Sequence, residues 1–234
     1  GASAFQKTRW VFDELQLLVL QLRCQFRKPC FLVVGRTGSG KSSLINCLTG
    51  TLVAHVGTMT PQTGAAVIYE LDNINFIDTR GLMEGEKPLE ADDAKDCQTS
   101  VAHAIEDHIP DAIIYCVAVS TLRENFKSEF KQVQAIKKKV DAKKGTDCPV
   151  VVVLTKIDSD LGMFITEDSE EHAQLTQERV NKLAEITAPL NPLSVLGVCL
   201  RIRPPPSTWV AVRGVDRLLK VLEGESDVNV MIQW

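Results

Sequence analysis

The chain carries the sequence Gly35-Arg36-Thr37-Gly38-Ser39-Gly40-Lys41-Ser42 between an apolar run, residues 30–34, and a helix-like segment, residues 43–48. This strand–loop–helix context is the one in which the pattern G-x-x-x-x-G-K-S/T forms a phosphate-binding loop. The glycines let main-chain N–H groups point inward, and the following helix adds the positive end of its dipole. Lys41 is expected to reach the β- and γ-phosphates, and the Ser42 hydroxyl to bind Mg²⁺. We therefore predict a nucleotide-phosphate site contacted by residues 35–42 and by Ser43.

Apolar runs and amphipathic segments alternate along the rest of the chain. A helix is predicted from Lys41 to Gly50, and the turn pair Asp72-Asn73 makes the strands on either side of it antiparallel neighbours. Strand–helix alternation elsewhere predicts an α/β fold with a six-stranded, mostly parallel sheet, one antiparallel strand and helices on both faces. The predicted strands are residues 30–34, 65–71, 74–78, 112–119, 150–154 and 195–200, and the later helices lie around 101–109 and at 124–140, 169–186 and 215–222.

We divide the chain into three parts. Residues 1–28 form an N-terminal helical extension, residues 29–224 the α/β domain and residues 225–234 a C-terminal tail. Val11, Leu15, Leu18 and Leu22 recur at helical spacing in the extension, which predicts an amphipathic helix. Its apolar face either docks on the domain or is offered to a partner, a second copy or a bilayer.

Composition narrows the class of protein. The formal net charge is −4 and the sequence pI is about 5.6, so no global charge favours DNA or an anionic membrane. Seven cysteines are scattered without C-x-x-C pairs, which favours free thiols in the cytoplasm or another reducing compartment. The four histidines show no zinc-ligand spacing. We see no secretory signal, and no apolar run approaches the ~20 residues that span a bilayer.

Two further motifs follow predicted strands. Asp78-Thr79-Arg80-Gly81 comes after residues 74–78, where the Asp78 carboxylate can hold Mg²⁺ through water and the Gly81 N–H can meet the γ-phosphate. Thr155-Lys156-Ile157-Asp158 comes after residues 150–154. Asp158 can accept two hydrogen bonds from guanine, which adenine cannot supply, and Lys156 can lie over the base. Ligands of open α/β sheets bind beyond the carboxyl ends of the strands, so we expect these loops to meet.

Taken together, the three motifs resemble those of a P-loop G domain of the translation-factor-related GTPase class, and the resemblance covers residues 30 to about 223. Within that class the chain is similar to the Era-like, ribosome-binding-GTPase-like group, which is related to bacterial dynamin-like GTPases. The segment Val56-Gly57-Thr58-Met59-Thr60-Pro61-Gln62-Thr63 carries this closer resemblance.

The resemblance implies a GTPase that uses Mg²⁺ to hydrolyse GTP to GDP and phosphate. It assigns the chemistry to Lys41, Thr63 and Gly81, with Ser42, Thr63 and Asp78 as metal ligands. Thr60 is the alternative to Thr63. It also implies that residues 51–63 and 81–96 change order between the GTP and GDP states.

The sequence departs from the family pattern at three places, and two of them carry predictions. Leu82 stands where many GTPases have a glutamine that orients the attacking water, which predicts slow intrinsic turnover. Gly38 stands where several potassium-activated relatives have an asparagine, which predicts equal turnover in Na⁺ and K⁺. Residues 200–203 replace the usual Ser-Ala loop that supports guanine. Arg80 is interpreted as a solvated switch residue, with an arginine finger as the alternative.

The sequence leaves three uses of such a domain open. One is a nucleotide-dependent switch that docks on a ribosome or another protein. A second is a septin- or dynamin-like GTPase that forms a nucleotide-dependent homodimer across the nucleotide face and works on membranes or polymers. A third is a pseudo-GTPase that binds nucleotide without hydrolysing it.

Overall fold

Six strands form the main sheet of the computed structural model, which describes residues 28–50, 66–71, 74–79, 81–82, 97–123, 127–157, 170–202 and 210–224. Its strands are β1 (Cys30–Gly35), β2 (Val67–Glu70), β3 (Asn75–Asp78), β4 (Ala112–Ala118), β5 (Val150–Thr155) and β6 (Ser194–Gly197). Their order in the sheet is β2-β3-β1-β4-β5-β6. Only the β2–β3 pair is antiparallel, and the other four pairs are parallel.

The central strands follow from their apolar sequences. Every residue of β1, β4 and β5 is buried, as expected for parallel strands covered on both faces. At one edge β2 has exposed residues at both ends and pairs with β3 alone. The short connection between them, closed by a hydrogen bond of 3.0 Å from Leu71 N–H to the Ile74 carbonyl, makes them antiparallel.

Within the described residues, five helices cover the two faces of this sheet. They are α1 (Lys41–Thr49), α2 (Cys97–Asp107), α3 (Lys127–Lys144), α4 (Glu170–Thr187) and α5 (Val215–Gly224). One core cluster joins Val101 of α2, Ile136 of α3 and Leu183 of α4 to one face, and another joins Leu44 of α1 and Leu218 of α5 to the other. The predicted α/β class, with a mostly parallel six-stranded sheet and helices on both faces, is confirmed.

One predicted strand is wrong in its extent. Residues 195–200 do not form a single strand, because β6 ends at Gly197 and a separate two-stranded sheet begins with β7 (Cys199–Ile202), paired antiparallel with β8 (Val210–Arg213). Val198 between them is buried and donates a hydrogen bond to the Leu154 carbonyl at 2.8 Å. At Gly214 a Cβ atom would lie 2.2 Å from the Gly197 carbonyl oxygen, so the backbones meet closely there and the chain changes sheets.

Other boundaries differ by a few residues. Helix α3 runs from residue 127 to residue 144 and α4 from 170 to 187, and 3₁₀ turns occupy Val119–Arg123 and Ala188–Leu190. The predicted N-terminal helix and C-terminal tail lie outside the described residues, apart from residue 28. Of the two segments expected to change order, residues 51–63 and 83–96 also lie outside them. No helix within the described ranges has the length and apolar character needed to cross a membrane.

Candidate functional site

The phosphate loop connects β1 to α1 at the carboxyl end of the sheet. Its path depends on Gly35, where a Cβ atom would lie 2.3 Å from the Cys116 carbonyl oxygen of the neighbouring strand. Gly40 adopts a left-handed φ of 89° and begins α1 without a side chain that could cap the helix. The helix therefore offers its first N–H groups to a bound anion. Thr37 and Gly38 are exposed, Ser43 is half-buried, and the buried Ser39 hydroxyl has no partner among the described residues.

Lys41 lies folded over the start of this loop. Its ammonium donates hydrogen bonds to the main-chain carbonyls of Gly35 at 3.0 Å and Arg36 at 3.1 Å. The side chain is buried, so its charge acts in a poorly hydrated setting where electrostatic attraction to phosphate is strong. The loop thus holds the Lys41 ammonium in place.

The structure brings two predicted metal ligands into contact. The Ser42 hydroxyl donates a hydrogen bond of 3.0 Å to Asp78 Oδ2, while Asp78 Oδ1 is buried and has no partner among the described residues. Burial raises the pKa of Asp78, and the Lys41 charge and the Ser42 hydrogen bond oppose that rise. An unpartnered carboxylate oxygen beside a hydroxyl is a fitting donor set for a Mg²⁺ ion that takes its other ligands from phosphates and water. The third predicted ligand, Thr63, lies outside the described residues.

No self-sufficient metal cluster accompanies this pair. Within the described ranges, no group of three or more histidine, cysteine, aspartate or glutamate side chains could hold a metal ion. Described histidines make ordinary contacts instead, such as His108 with Glu70 at 3.5 Å.

The Asp-x-x-Gly motif continues from β3 toward the phosphate loop. Thr79 is buried and donates its hydroxyl proton to the Val33 carbonyl at 2.9 Å. Gly81 is buried, and the next N–H, that of Leu82, donates to the Gly35 carbonyl at 3.0 Å, forming a short parallel bridge with Arg36. The Leu82 side chain is fully buried in a core cluster with residues such as Ile77. It therefore points into the core.

The predicted guanine motif begins at the end of β5. The Thr155 hydroxyl, buried, donates to the Ser39 carbonyl at 2.6 Å, so this motif and the phosphate loop are joined. Lys156 comes next, exposed and with a left-handed φ of 56°. Asp158 lies outside the described residues. Residues 200–202, which stand in place of the usual guanine-supporting loop, form part of strand β7.

Two buried contacts near the loops were not identified from the sequence. Glu129 of α3 accepts a hydrogen bond from the Tyr115 hydroxyl of β4 at 3.0 Å, and His172 of α4 lies 3.4 Å from the Ile157 carbonyl through Nε2. A tyrosine within an otherwise aliphatic strand was the available signal for the first, because a buried hydroxyl needs a polar partner. No sequence signal places His172 beside Ile157.

The cysteines and the lysines near the end of α3 have structural surroundings. No disulfide joins the five cysteines whose side chains the structure describes (Cys30, Cys47, Cys116, Cys148 and Cys199), and burial raises the pKa of Cys116 to about 12. In the basic cluster at the end of α3, Lys137 pairs with Asp141 at 2.8 Å and Lys144 donates to the Asp111 carbonyl at 3.0 Å. These two lysines therefore stabilise the helix end.

A model of the family described as 50S ribosome-binding GTPase matches residues 30–156. No curated protein matches the sequence. Among solved structures, Toc33 from Arabidopsis thaliana in complex with GDP and Mg²⁺ is 17% identical, with a TM-score of 0.59, over 97% of this chain and 94% of that chain. A structure of the chloroplast translocon components Toc33 and Toc159, for which dimerization is described as important for GTPase activity, is 17% identical with a TM-score of 0.61, over 97% and 93%.

Era in complex with MgGDPNP and a segment of 16S ribosomal RNA is 20% identical, with a TM-score of 0.54, over 85% of this chain and 57% of that chain. At these identities the likeness to solved structures shows the fold, that of P-loop GTPases. The roles of individual residues in this chain rest on its own motifs and their geometry, and not on these neighbours.

Proposed function

This chain belongs to the 50S ribosome-binding GTPase family, and from that membership we propose that it binds GTP with Mg²⁺ and hydrolyses it to GDP and phosphate. The observation that carries the proposal is the contact between Ser42 and Asp78, 3.0 Å apart, with Asp78 Oδ1 unpartnered among the described residues. This pair lies beside Lys41, whose charge acts on Asp78. A hydroxyl, a carboxylate and an ammonium together at the start of a helix suit a magnesium–phosphate ligand.

Each residue then has a task in that proposal. The loop N–H groups and the Lys41 ammonium bind the β- and γ-phosphates and stabilise the charge that develops on them. Ser42 and Asp78 would hold Mg²⁺, which when bound would neutralise phosphate charge. The Gly81 N–H meets the γ-phosphate. Thr63 and Asp158, both outside the described residues, are proposed to complete the metal site and to read guanine.

Hydrolysis by the isolated chain is proposed to be slow. The position after Gly81 holds Leu82, whose side chain is fully buried. No side chain at this position is therefore available to orient the attacking water, and another group or a partner must do so. The reaction gains its rate mainly from electrostatic stabilisation of the phosphates.

We propose that the two nucleotide states serve as a conformational switch in the cytoplasm or another reducing compartment, which agrees with the lack of a disulfide among the cysteines whose side chains the structure describes. The partner is either a ribosome or protein surface, or a second copy of the chain. Dimerization is described as important for the GTPase activity of Toc33 and Toc159, and Era is solved with ribosomal RNA. The need for an outside water-positioning group agrees with a nucleotide-dependent homodimer as the second candidate.

The test is nucleotide titration of the purified protein with GTP, GDP and ATP, with Mg²⁺ and with EDTA, alongside single-turnover hydrolysis. We expect GTP and GDP to bind with Mg²⁺ and ATP to bind at least ~100-fold more weakly, since a missing donor leaves a buried acceptor unpaired. The variant Asp78→Asn should lose the Mg²⁺ effect on affinity, and Asp158→Asn the preference for guanine. Binding without any turnover would indicate the pseudo-GTPase.

Gel filtration with GDP and with a transition-state analogue separates the two kinds of partner. Dimers that form only with the analogue favour the self-associating GTPase, whereas monomers in both states favour a switch that docks on a different molecule. Equal binding of ATP and GTP would contradict the proposal as a whole.

A further inference from the structure

Glu129 is a buried carboxylate for which the proposed reaction has no use. It lies in the first turn of α3 and is 3% exposed. Burying a carboxylate is costly unless donors and positive charges surround it. Here the Tyr115 hydroxyl donates to Oε1 at 3.0 Å, and the main chain of Arg36 donates a second hydrogen bond. The carboxylate therefore joins β4 to the first residue after β1.

The second donor belongs to a single peptide unit, the one between Gly35 and Arg36. Its carbonyl oxygen, that of Gly35, accepts hydrogen bonds from the Lys41 ammonium at 3.0 Å and from the Leu82 N–H at 3.0 Å. Its N–H, that of Arg36, is the group that donates to Glu129. One peptide plane thus links Glu129 to both Lys41 and the residue after Gly81.

Charge supports the same arrangement. Burial raises the pKa of Glu129, and the Tyr115 hydrogen bond and the positive charges of Arg36 and Lys41 oppose that rise. The position of Glu129 in the first turn of α3 also favours a negative charge, because the helix dipole is positive there. Burial raises the pKa of Tyr115, so its hydroxyl stays protonated and remains a donor.

We propose that Glu129 is a positioning residue for the phosphate loop: it holds the Gly35–Arg36 peptide plane, and through it the Lys41 ammonium, in the orientation that receives the nucleotide phosphates. Tyr115 holds the carboxylate in turn. This inference rests on the proposed binding of guanine nucleotide. It predicts that Glu129 acts on phosphate affinity and leaves recognition of the base unchanged, since the guanine motif lies at the end of β5.

The first variant is Glu129→Gln, which keeps the size of the side chain and removes its charge. We expect its affinity for GDP with Mg²⁺ to fall about tenfold, because one charge-assisted hydrogen bond is lost. Its affinity for guanosine should not change. Calorimetric titration measures GDP, and competition against it measures guanosine. The control is Glu185→Gln on the exposed side of α4, which should bind both ligands as the unaltered protein does.

The second variant is Tyr115→Phe, which removes only the hydroxyl that holds the carboxylate. We expect a smaller loss of GDP affinity, about threefold, again with guanosine unchanged. If Glu129→Gln does not fold, Tyr115→Phe tests the positioning role of Glu129 in its place. Unchanged GDP affinity in the folded variants would overturn the inference. Equal losses of affinity for GDP and for guanosine would also overturn it, because a contact that is merely structural would weaken both.

The unaltered protein keeps this test separate from the test of function. If it does not bind GDP, the proposed function fails. If it binds GDP and the Glu129 and Tyr115 variants bind equally well, the function stands and only the positioning role is wrong.

Discussion

The Thr155 hydroxyl donates a 2.6 Å hydrogen bond to the Ser39 carbonyl, across 116 residues of sequence. A second acceptor, the Val117 carbonyl, lies 3.3 Å from the same oxygen. A hydroxyl has one proton, and the shorter distance assigns it to Ser39. The first residue of the predicted guanine motif is therefore joined to the middle of the phosphate loop at Ser39.

Removal of this hydroxyl should weaken nucleotide binding. Thr155→Val keeps the shape of the side chain and leaves the Ser39 carbonyl without its donor, which we expect to lower GDP affinity about tenfold and stability by about 1 kcal/mol. The control is Thr187→Val, since the buried Thr187 hydroxyl donates to the Leu183 carbonyl within α4. That variant should lose similar stability and keep its GDP affinity. Titration measures GDP affinity and thermal unfolding measures stability. Equal GDP affinity in Thr155→Val and Thr187→Val would contradict a role of the Thr155 hydrogen bond in nucleotide binding.

Glutamine at position 82 should not create a faster enzyme. Leu82 is fully buried, so Leu82→Gln places an amide in the core and should cost about 2–4 kcal/mol without raising single-turnover hydrolysis. Leu82→Met, which conserves volume, should cost less than about 1.5 kcal/mol. A higher rate in Leu82→Gln would show that the side chain reaches the attacking water. The same burial makes Leu82→Ala a poor test of catalysis, because it opens a cavity.

Potassium should have no special effect on the unaltered protein. Gly38 has no side chain to help hold a cation, and we expect equal turnover in Na⁺ and K⁺ at matched ionic strength. Gly38→Asn is the informative variant, because a Cβ atom there meets nothing within 4 Å and asparagine tolerates the left-handed φ of 75°. We expect it to fold and bind GDP. Potassium-stimulated turnover in the unaltered chain would refute this prediction.

Alkaline pH should destabilise the fold partly through Cys116. Burial raises the pKa of its thiol from 9.0 to about 12, so between these values the unfolded chain loses a proton that the folded chain keeps. Stability is then full below about pH 9 and falls as pH rises, by up to about 1.4 kcal/mol per pH unit for one group. Cys116→Ala should show a shallower decline in denaturant unfolding at about pH 9–11, the window between the two pKa values. If stability falls equally steeply with pH in the unaltered protein and in Cys116→Ala, the Cys116 thiol is not the cause of the decline.

The pattern of apolar residues along the sequence was sufficient to predict most of the fold. The all-apolar runs of β1, β4 and β5 predict buried parallel strands because such strands are covered on both faces. The turn pair between the second and third strands predicts the antiparallel edge. The error at residues 195–200 arose because apolar sequence continues through Val198, whereas β6 ends at Gly197, where the Gly214 backbone approaches closely, and β7 begins at Cys199. Contacts of that kind leave no periodic signal.

The sequence by itself determined which residues carry the phosphate, metal and base motifs, because each motif is a short run at the end of an apolar strand, and such strands are recognised from local patterns. Only the tertiary structure decided how these runs touch: that Ser42 meets Asp78, that Thr155 reaches Ser39, and that Glu129 lies against Arg36. Hydrogen bonds between residues far apart in sequence depend on side-chain direction and burial after the sheet has formed, and no local pattern encodes them.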